Sequence, residues 1–179
     1  MRVRRVAPRD LDAVVALAVE AAPERAREAW REVLEEECEH PERLLLVAEV
    51  EGELVGYGRA RLLDAIGGAP TGYYLTGLFV RAGSRRAGVG AALTEARLRW
   101  IAERADEAWF FANARNDASI ALHRRFGFEE VTRDFDVPGV TFDGGQGILF
   151  RSPLRAWRRR VQDRGAEVGV GRCGAQFDA

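Results

Sequence analysis

Hydrophobic and polar positions change period several times along the chain, and each change marks an element. Residues 2–6, RVRRV, alternate as a short strand does. Pro8, Arg9 and Asp10 open a helix whose apolar stripe is Leu11, Val14, Val15, Ala18 and Val19. A second helix is predicted from Pro23 to about Glu37, with Ala26, Trp30, Val33 and Leu34 inward. RLLLVAEV and LVGYGRARLL flank the turn EGE, so 43–63 reads as a hairpin. A glycine-rich loop over 64–72 precedes the strand YYLTGLFV, 73–80. Helical spacing then returns at Val89, Leu93, Ala96, Trp100 and Ile101, before the strand EAWFFAN, 107–113. A strand, a helix of roughly four turns and a strand make a βαβ unit, so those two strands should be parallel. Asn116, Asp117 or Ser119 caps a further helix, ASIALHRRF, which stops at Gly127. FEEVTRDFDV and GQGILFRSPL close the sheet as an antiparallel pair around PGVTFDGG, rich in turn residues. AWRRRVQDR reads as a last short helix, and small residues from Gly165 onward predict a disordered tail. No internal repeat is visible.

Composition narrows the picture. With 179 residues, 47% of them hydrophobic, the chain suits one core: a domain over 1–155 and a basic helix and tail over 156–179. A formal net charge of -1 argues against a general polyanion binder, although all 27 basic residues are arginine. RAWRRR, 155–160, could touch nucleic acid, but too few aromatics interleave for stacking, so a solvated surface and no nucleic-acid partner are expected. Cys38 and Cys173 lie far apart and show no metal-ligand spacing, which predicts a reducing, cytoplasmic setting and no metal. The N-terminus starts basic and turns apolar, yet Pro8, Arg9, Asp10, Asp12 and Glu20 interrupt it, against a signal peptide. No run of about 18 apolar residues is present, so no membrane partner is expected.

The richest stretch is LFVRAGSRRAGVGAALTEARL, 78–98. A helix that begins just after a strand leaves its first N–H groups unpaired and carries roughly half a positive charge there. That end accepts an anion, commonly a phosphate. Arg85 and Arg86 add charge, and glycines at 88 and 90 keep side chains away from the amides. A P-loop needs a lysine that this chain lacks. A dinucleotide fingerprint needs a third glycine, where Leu93 stands, and an earlier position in the chain. The remaining readings are a pyrophosphate cradle and a plain tight turn with solvated arginines.

RRAGVGA, 85–91, resembles the Q/R-x-x-G-x-G/A loop of the GCN5-related N-acetyltransferases (GNAT). The likeness extends upstream to LFV, 78–80, and downstream to NDASIALHRRFGF, 116–128, which is similar to the family's N-x-x-A-x-x-L-Y-x-x-x-G-F segment. Element order agrees over 1 to about 152. The resemblance implies an α/β (α+β) fold: a mixed, mostly antiparallel sheet of about seven strands, a splayed central parallel pair, and helices on both faces. It implies acetyl-CoA in the notch, with the backbone of Leu78, Phe79 and Val80 along the pantetheine arm. Arg85, Arg86, Ala87, Gly88, Val89, Gly90 and Ala91 would take the pyrophosphate. Asn116 would contact the cofactor or simply cap its helix.

Acetyl transfer needs a neutral amine, donors for the carbonyl oxygen and a leaving thiolate. His123 stands where the family usually has tyrosine, so it would protonate the thiolate, hydrogen-bond to sulfur, or merely fill its helix. Thr76 and Phe111 occupy the places where many family members have a glutamate base, and neither is a base. Tyr73, Tyr74, Asn113 or Asp143 could steer a water instead. The acceptor should enter opposite the cofactor, between the second helix, the 64–72 loop and PGVTFDGG. Glu35, Glu36 and Glu39 could draw in a cationic amine such as a polyamine or an aminoglycoside-like molecule, or be a solvated face. The expectation is a monomeric or homodimeric N-acetyltransferase acting by direct attack on a small-molecule primary amine. An acyl-CoA sensor module without turnover, and a protein N-terminal acetyltransferase, are the alternatives.

Overall fold

Leu44, Leu46 and Ala48 alternate with Leu45 and Val47, and the two sets enter different cores on opposite faces of one sheet. The structure is a computed structural model and describes residues 1–65, 67–137, 140–142, 145–155 and 157. The expected last helix apart from Trp157, the tail from Gly165 on, Cys173 and Asp143 fall outside those residues. Seven strands are described: β1 (Arg2–Arg5), β2 (Arg43–Val50), β3 (Glu53–Leu63), β4 (Gly72–Val80), β5 (Glu107–Asn113), β6 (Glu129–Thr132) and β7 (Gly147–Pro153). They form one sheet in the order β1-β2-β3-β4-β5-β7-β6. Only β4 and β5 run parallel; every other neighbouring pair is antiparallel. That is the mixed, mostly antiparallel sheet the sequence implied.

Helices α1 (Leu11–Ala21) and α2 (Arg27–Glu39) cover one face, where Val14, Val15, Leu17 and Leu34 meet Leu45, Val47 and Tyr57. Helix α3 (Val89–Ala102) packs on the other face through Leu93, Leu98 and Ile101, all with no exposed surface. Each such side chain contributes about 1.5–3 kcal/mol through burial. Helix α4 (Asp117–Arg124) lies on the same side and adds Ile120 to that core. Two sequence expectations shift. Helix α2 starts at Arg27, and Ala26 becomes its exposed N-cap, because the residues just after Pro23 form a turn. Strand β6 stops at Thr132, where the register with β7 breaks.

The parallel pair meets only at Tyr74↔Trp109 and Leu75↔Phe110. Beyond Leu75 the strands separate. The cause is local: Gly77 sits at φ 54, and the β3–β4 register shifts between Gly58 and Arg59 there. A glycine-centred bulge bends its strand and increases the twist. Residues 76–80 of β4 therefore keep β3 on one side and have no strand partner on the side of β5.

Helix α2 carries one inward charge. Glu37 lies three residues after Leu34, on the same face, and is 2% exposed. Both its oxygens accept from Arg59 on β3, one of them from Nε at 2.6 Å. Truncating one partner of such a pair strands the other charge. We expect Glu37→Ala to lower stability by about 3–5 kcal/mol in urea unfolding; a loss below about 1 kcal/mol would contradict this packing.

Candidate active site

The separation of β4 from β5 opens the sheet, and two recesses meet at the gap. The first, about 770 Å³, runs along the free edge of β4 to the start of α3 and across to α4. Leu78, Phe79 and Val80 form one wall, and Arg85, Arg86, Gly88, Gly90 and Ala91 the far end. Asn116 stands where this recess joins the second. Of the sequence-predicted cofactor residues, Ala87 and Val89 do not line it: Ala87 is exposed and Val89 turns its side chain into the core.

The glycines act in different ways. Gly88 caps α3 at φ 82, a left-handed geometry that disfavours side chains, while a Cβ there would meet nothing within 4 Å. The backbone conformation is thus what requires glycine at 88, rather than the crowding the sequence suggested. At Gly90 a side chain would make ordinary contacts with the protein but would take up room in the recess. A Cβ would lie 3.4 Å from Leu122 and about 4 Å from Val80 and Leu78, inside the recess. The first helical bond runs from the Ala92 N–H to the Gly88 carbonyl, so the amides of 89–91 precede the hydrogen-bonded turn and can meet an anion. Arg85 is anchored by donating Nε to the Val80 carbonyl at 3.0 Å. Arg125, at the end of α4, is a third arginine of this recess that the sequence reading missed. Its helical spacing from Ala118 and Leu122, which also line the recess, was the available signal.

Asn116 does cap α4, accepting from the Ser119 N–H at 3.1 Å. That leaves its NH₂ as the group able to face a ligand. The glycine cradle, the unpaired strand edge and the three arginines together fit a pantetheine diphosphate.

The second recess, about 580 Å³, is the gap itself. Leu75, Phe110, Arg97 and His123 line its α3 side, and Thr76, Phe111, Arg59 and Arg61 its α2 side. Three buried polar atoms here lack partners among the described residues: Thr76 Oγ1, Arg61 Nε and His123 Nε2. His123 is 1% exposed and stacks on Phe110, with centroids 3.7 Å apart and planes at 10°. Its Nδ1 lies 2.8 Å from the Ser119 carbonyl, which can only accept. Nδ1 therefore carries the proton, and Nε2 presents a lone pair to the gap. Burial first, and then the Arg97 charge, push the His123 pKa down to about 3. Arg97 is itself buried, made possible by Gly58, whose Cβ would lie 3.0 Å from Arg97 Nε. It donates to the carbonyls of Leu93 and Arg59 and to Thr94 Oγ1. Desolvation lowers its pKa to about 9, so it stays charged at neutral pH.

Other expected residues fall elsewhere. Tyr74 has no exposed surface, donates its hydroxyl to the Pro70 carbonyl at 2.7 Å, and stacks beside Trp109. Burial pushes its pKa up to about 12. Tyr73 packs edge-on against Trp100. Asn113 does line the gap, its Oδ1 accepting from the Arg115 N–H at 2.9 Å. Glu35, Glu36 and Glu39 are exposed on α2 and do not line the gap; Glu35 pairs with Arg31 and Glu36 with Arg43.

An open strand edge that leads to the unpaired amides of a glycine-capped helix suits an extended, anionic carrier. The model of the acetyltransferase (GNAT) family matches residues 11–128. The chain belongs to that family, an acyltransferase family whose acetyl donor is acetyl-CoA. No curated protein matches it. Among solved structures, a ribosomal-protein-alanine N-acetyltransferase from Brucella melitensis is 25% identical, with TM-score 0.70, covering 86% of this chain and all of that one. An aminoglycoside 6'-N-acetyltransferase in complex with coenzyme A is 18% identical, with TM-score 0.67 and coverage of 86% and 97%. Arabidopsis thaliana NAA60, bound to a bisubstrate analogue, is also 18% identical, with TM-score 0.63 and coverage of 85% and 97%. The last two show the shared fold alone.

The neutral, buried His123 makes folding sensitive to acid. Unfolded, its pKa is about 6.5; folded, it is about 3. Between those values the unfolded chain binds a proton that the folded one refuses, so stability falls as pH drops from about 6.5 toward 3. Above 6.5 this contribution is flat. We expect wild-type melting temperature to fall more steeply than that of His123→Phe between pH 6.5 and 4; parallel curves would contradict the burial argument.

Proposed function

We propose that the chain is an acetyl-CoA-dependent N-acetyltransferase acting by direct attack of a small-molecule primary amine. The observation that carries this is the meeting of the two recesses at the unpaired edge of β4, one from the side of α3 and α4 and one from the side of α2. In this reading Leu78, Phe79 and Val80 offer backbone groups to the pantetheine arm, and the amides of 89–91 with Arg85, Arg86 and Arg125 hold the diphosphate. Acetyl-CoA, when bound, supplies an activated acyl carbon and a thiolate leaving group, whose acid has a pKa of about 8.5 by analogy with cysteine.

His123 then serves as a hydrogen-bond acceptor at Nε2, holding an N–H or a water in the gap. Burial disfavours the imidazolium form, which supports this role over that of a proton donor to the thiolate. Asn113 and Thr76 Oγ1 are polar groups of the same recess through which water can carry away the amine proton. Well-oriented reactants reach effective molarities of roughly 10⁵ M or more, so positioning supplies much of the rate. The exposed Cys38 thiol, without a disulfide partner among the described residues, suits a reducing cytoplasm.

The second reading is a module that binds acyl-CoA without turnover. It is favoured by the lack of any aspartate or glutamate lining the gap among the described residues. Thiol release from acetyl-CoA across a panel of amines separates the two: turnover supports the enzyme, and tight binding with no turnover supports the module. In either reading Gly90→Leu should weaken acetyl-CoA binding by at least tenfold in calorimetry while helix content is retained. Unchanged affinity would overturn the assignment of the cradle.

A further inference from the structure

The gap is basic. Arg59, Arg61 and Arg97 line it, with Arg25 at its rim. Glu37 on α2 meets Arg59 from behind the gap, and both its oxygens are already bound to that guanidinium. Arg59 and Arg61 are two residues apart on β3, opposite Leu45 and Arg43 of β2, so both project toward α2. Arg61 is half-buried and has an unpaired Nε. Thr76 sits opposite Arg59 in the β3–β4 register and offers its own unpaired hydroxyl. Evolution rarely leaves buried donors without an acceptor, because each unmade bond costs stability. Here both donors lie on the α2 face of the sheet and line the same recess.

We propose that the acceptor is an amine that also carries an oxyanion, most simply the carboxylate of an amino acid, held by Arg61 and Thr76 with Arg59 beside them. A guanidinium presents a planar fork that matches a carboxylate, and Arg61 has donors to spare. Phe111 and Phe142, in edge contact at 6.3 Å, give the same face an apolar wall for the acceptor's side chain. The buried charge of Arg97 adds to the field from the other face of the sheet, and burial already holds the Arg61 guanidinium below its usual range. A polycation would meet like charge throughout. The acidic groups that might have drawn it, Glu35, Glu36 and Glu39, lie on the outer side of α2.

This inference rests on the acetyltransferase reading, and the experiment keeps the two apart. Calorimetry with acetyl-CoA alone tests the cofactor cradle first; no binding there would bring down the acetyltransferase reading and this proposal with it. With binding in hand, kcat/KM is compared across apolar amino acids, their carboxamides, the matching aminophosphonates, spermidine, an aminoglycoside and an alanine-initiated peptide. The proposal expects the amino acid to exceed its carboxamide by at least tenfold, and spermidine and the aminoglycoside by more. Aminophosphonates above amino acids would assign the site to a phosphate-like oxyanion and still support it. Arg61→Met should bring the ratio of amino acid to carboxamide close to one, and Arg61→Lys should restore part of it. As a readout separate from turnover, the des-amino carboxylic acid should bind to the coenzyme A complex of the wild type and at least tenfold more weakly to that of Arg61→Met. Preference for spermidine, the aminoglycoside or the peptide, or equal use of amino acid and carboxamide, would overturn the proposal. So would no turnover of any amine together with no binding of the carboxylic acid.

Discussion

Two residue pairs join the parallel strands at the centre of this sheet, and the rest of the site follows from there being no more. Had β4 continued beside β5, the backbone of residues 76–80 would be saturated and the sheet closed. Gly77 prevents that by adopting φ 54 and shifting the register against β3. The strand edge so exposed is long enough to pair with an extended ligand. It also leads straight into the first turn of α3, where unpaired amides wait for an anion. A single backbone irregularity therefore supplies both the groove and the passage through the sheet.

Charge is distributed to match. The cofactor recess has exposed arginines at its far end, where a diphosphate would lie, and the groove behind them is apolar, with Leu78, Val80 and Leu122. The passage is different: Arg59, Arg61 and Arg97 are half-buried or buried, and polar atoms of Thr76, Arg61 and His123 have no partner among the described residues. Polar groups kept dry without partners are costly in a core, and three of them gathered at one recess suit a place for another molecule.

Much of this could be read from residues alone. The hairpin over 43–63, the βαβ unit and the glycine-capped α3 follow from period and turn chemistry. RRAGVG gave the recess at the start of α3, although Gly88 is needed for its backbone angle rather than for space. Less was legible in the passage. Glu37 belongs to an acidic run, EVLEEECEH, that looks uniformly solvated; only packing shows that Glu37 turns inward to Arg59 while Glu35, Glu36 and Glu39 stay out. Arg97 reads as one more surface arginine of α3, and its burial depends on Gly58, 39 residues earlier in the chain. The motif left His123 open between an acid, a partner for sulfur and a helix filler; the burial against Phe110 and the Arg97 charge that keep it neutral arise from tertiary contacts. Tyr74 looked equally available for chemistry until the carbonyl of Pro70 was seen to hold its hydroxyl.

Amide hydrogen exchange with and without acetyl-CoA tests the central claim most directly. If the thioester carrier lies along the free edge of β4, the amides of Leu78–Val80 and Val89–Ala91 should gain protection together, while β1 and β2 stay unchanged. Saturating acetyl-CoA that protects the start of α3 but leaves the β4 edge exchanging as before would contradict it.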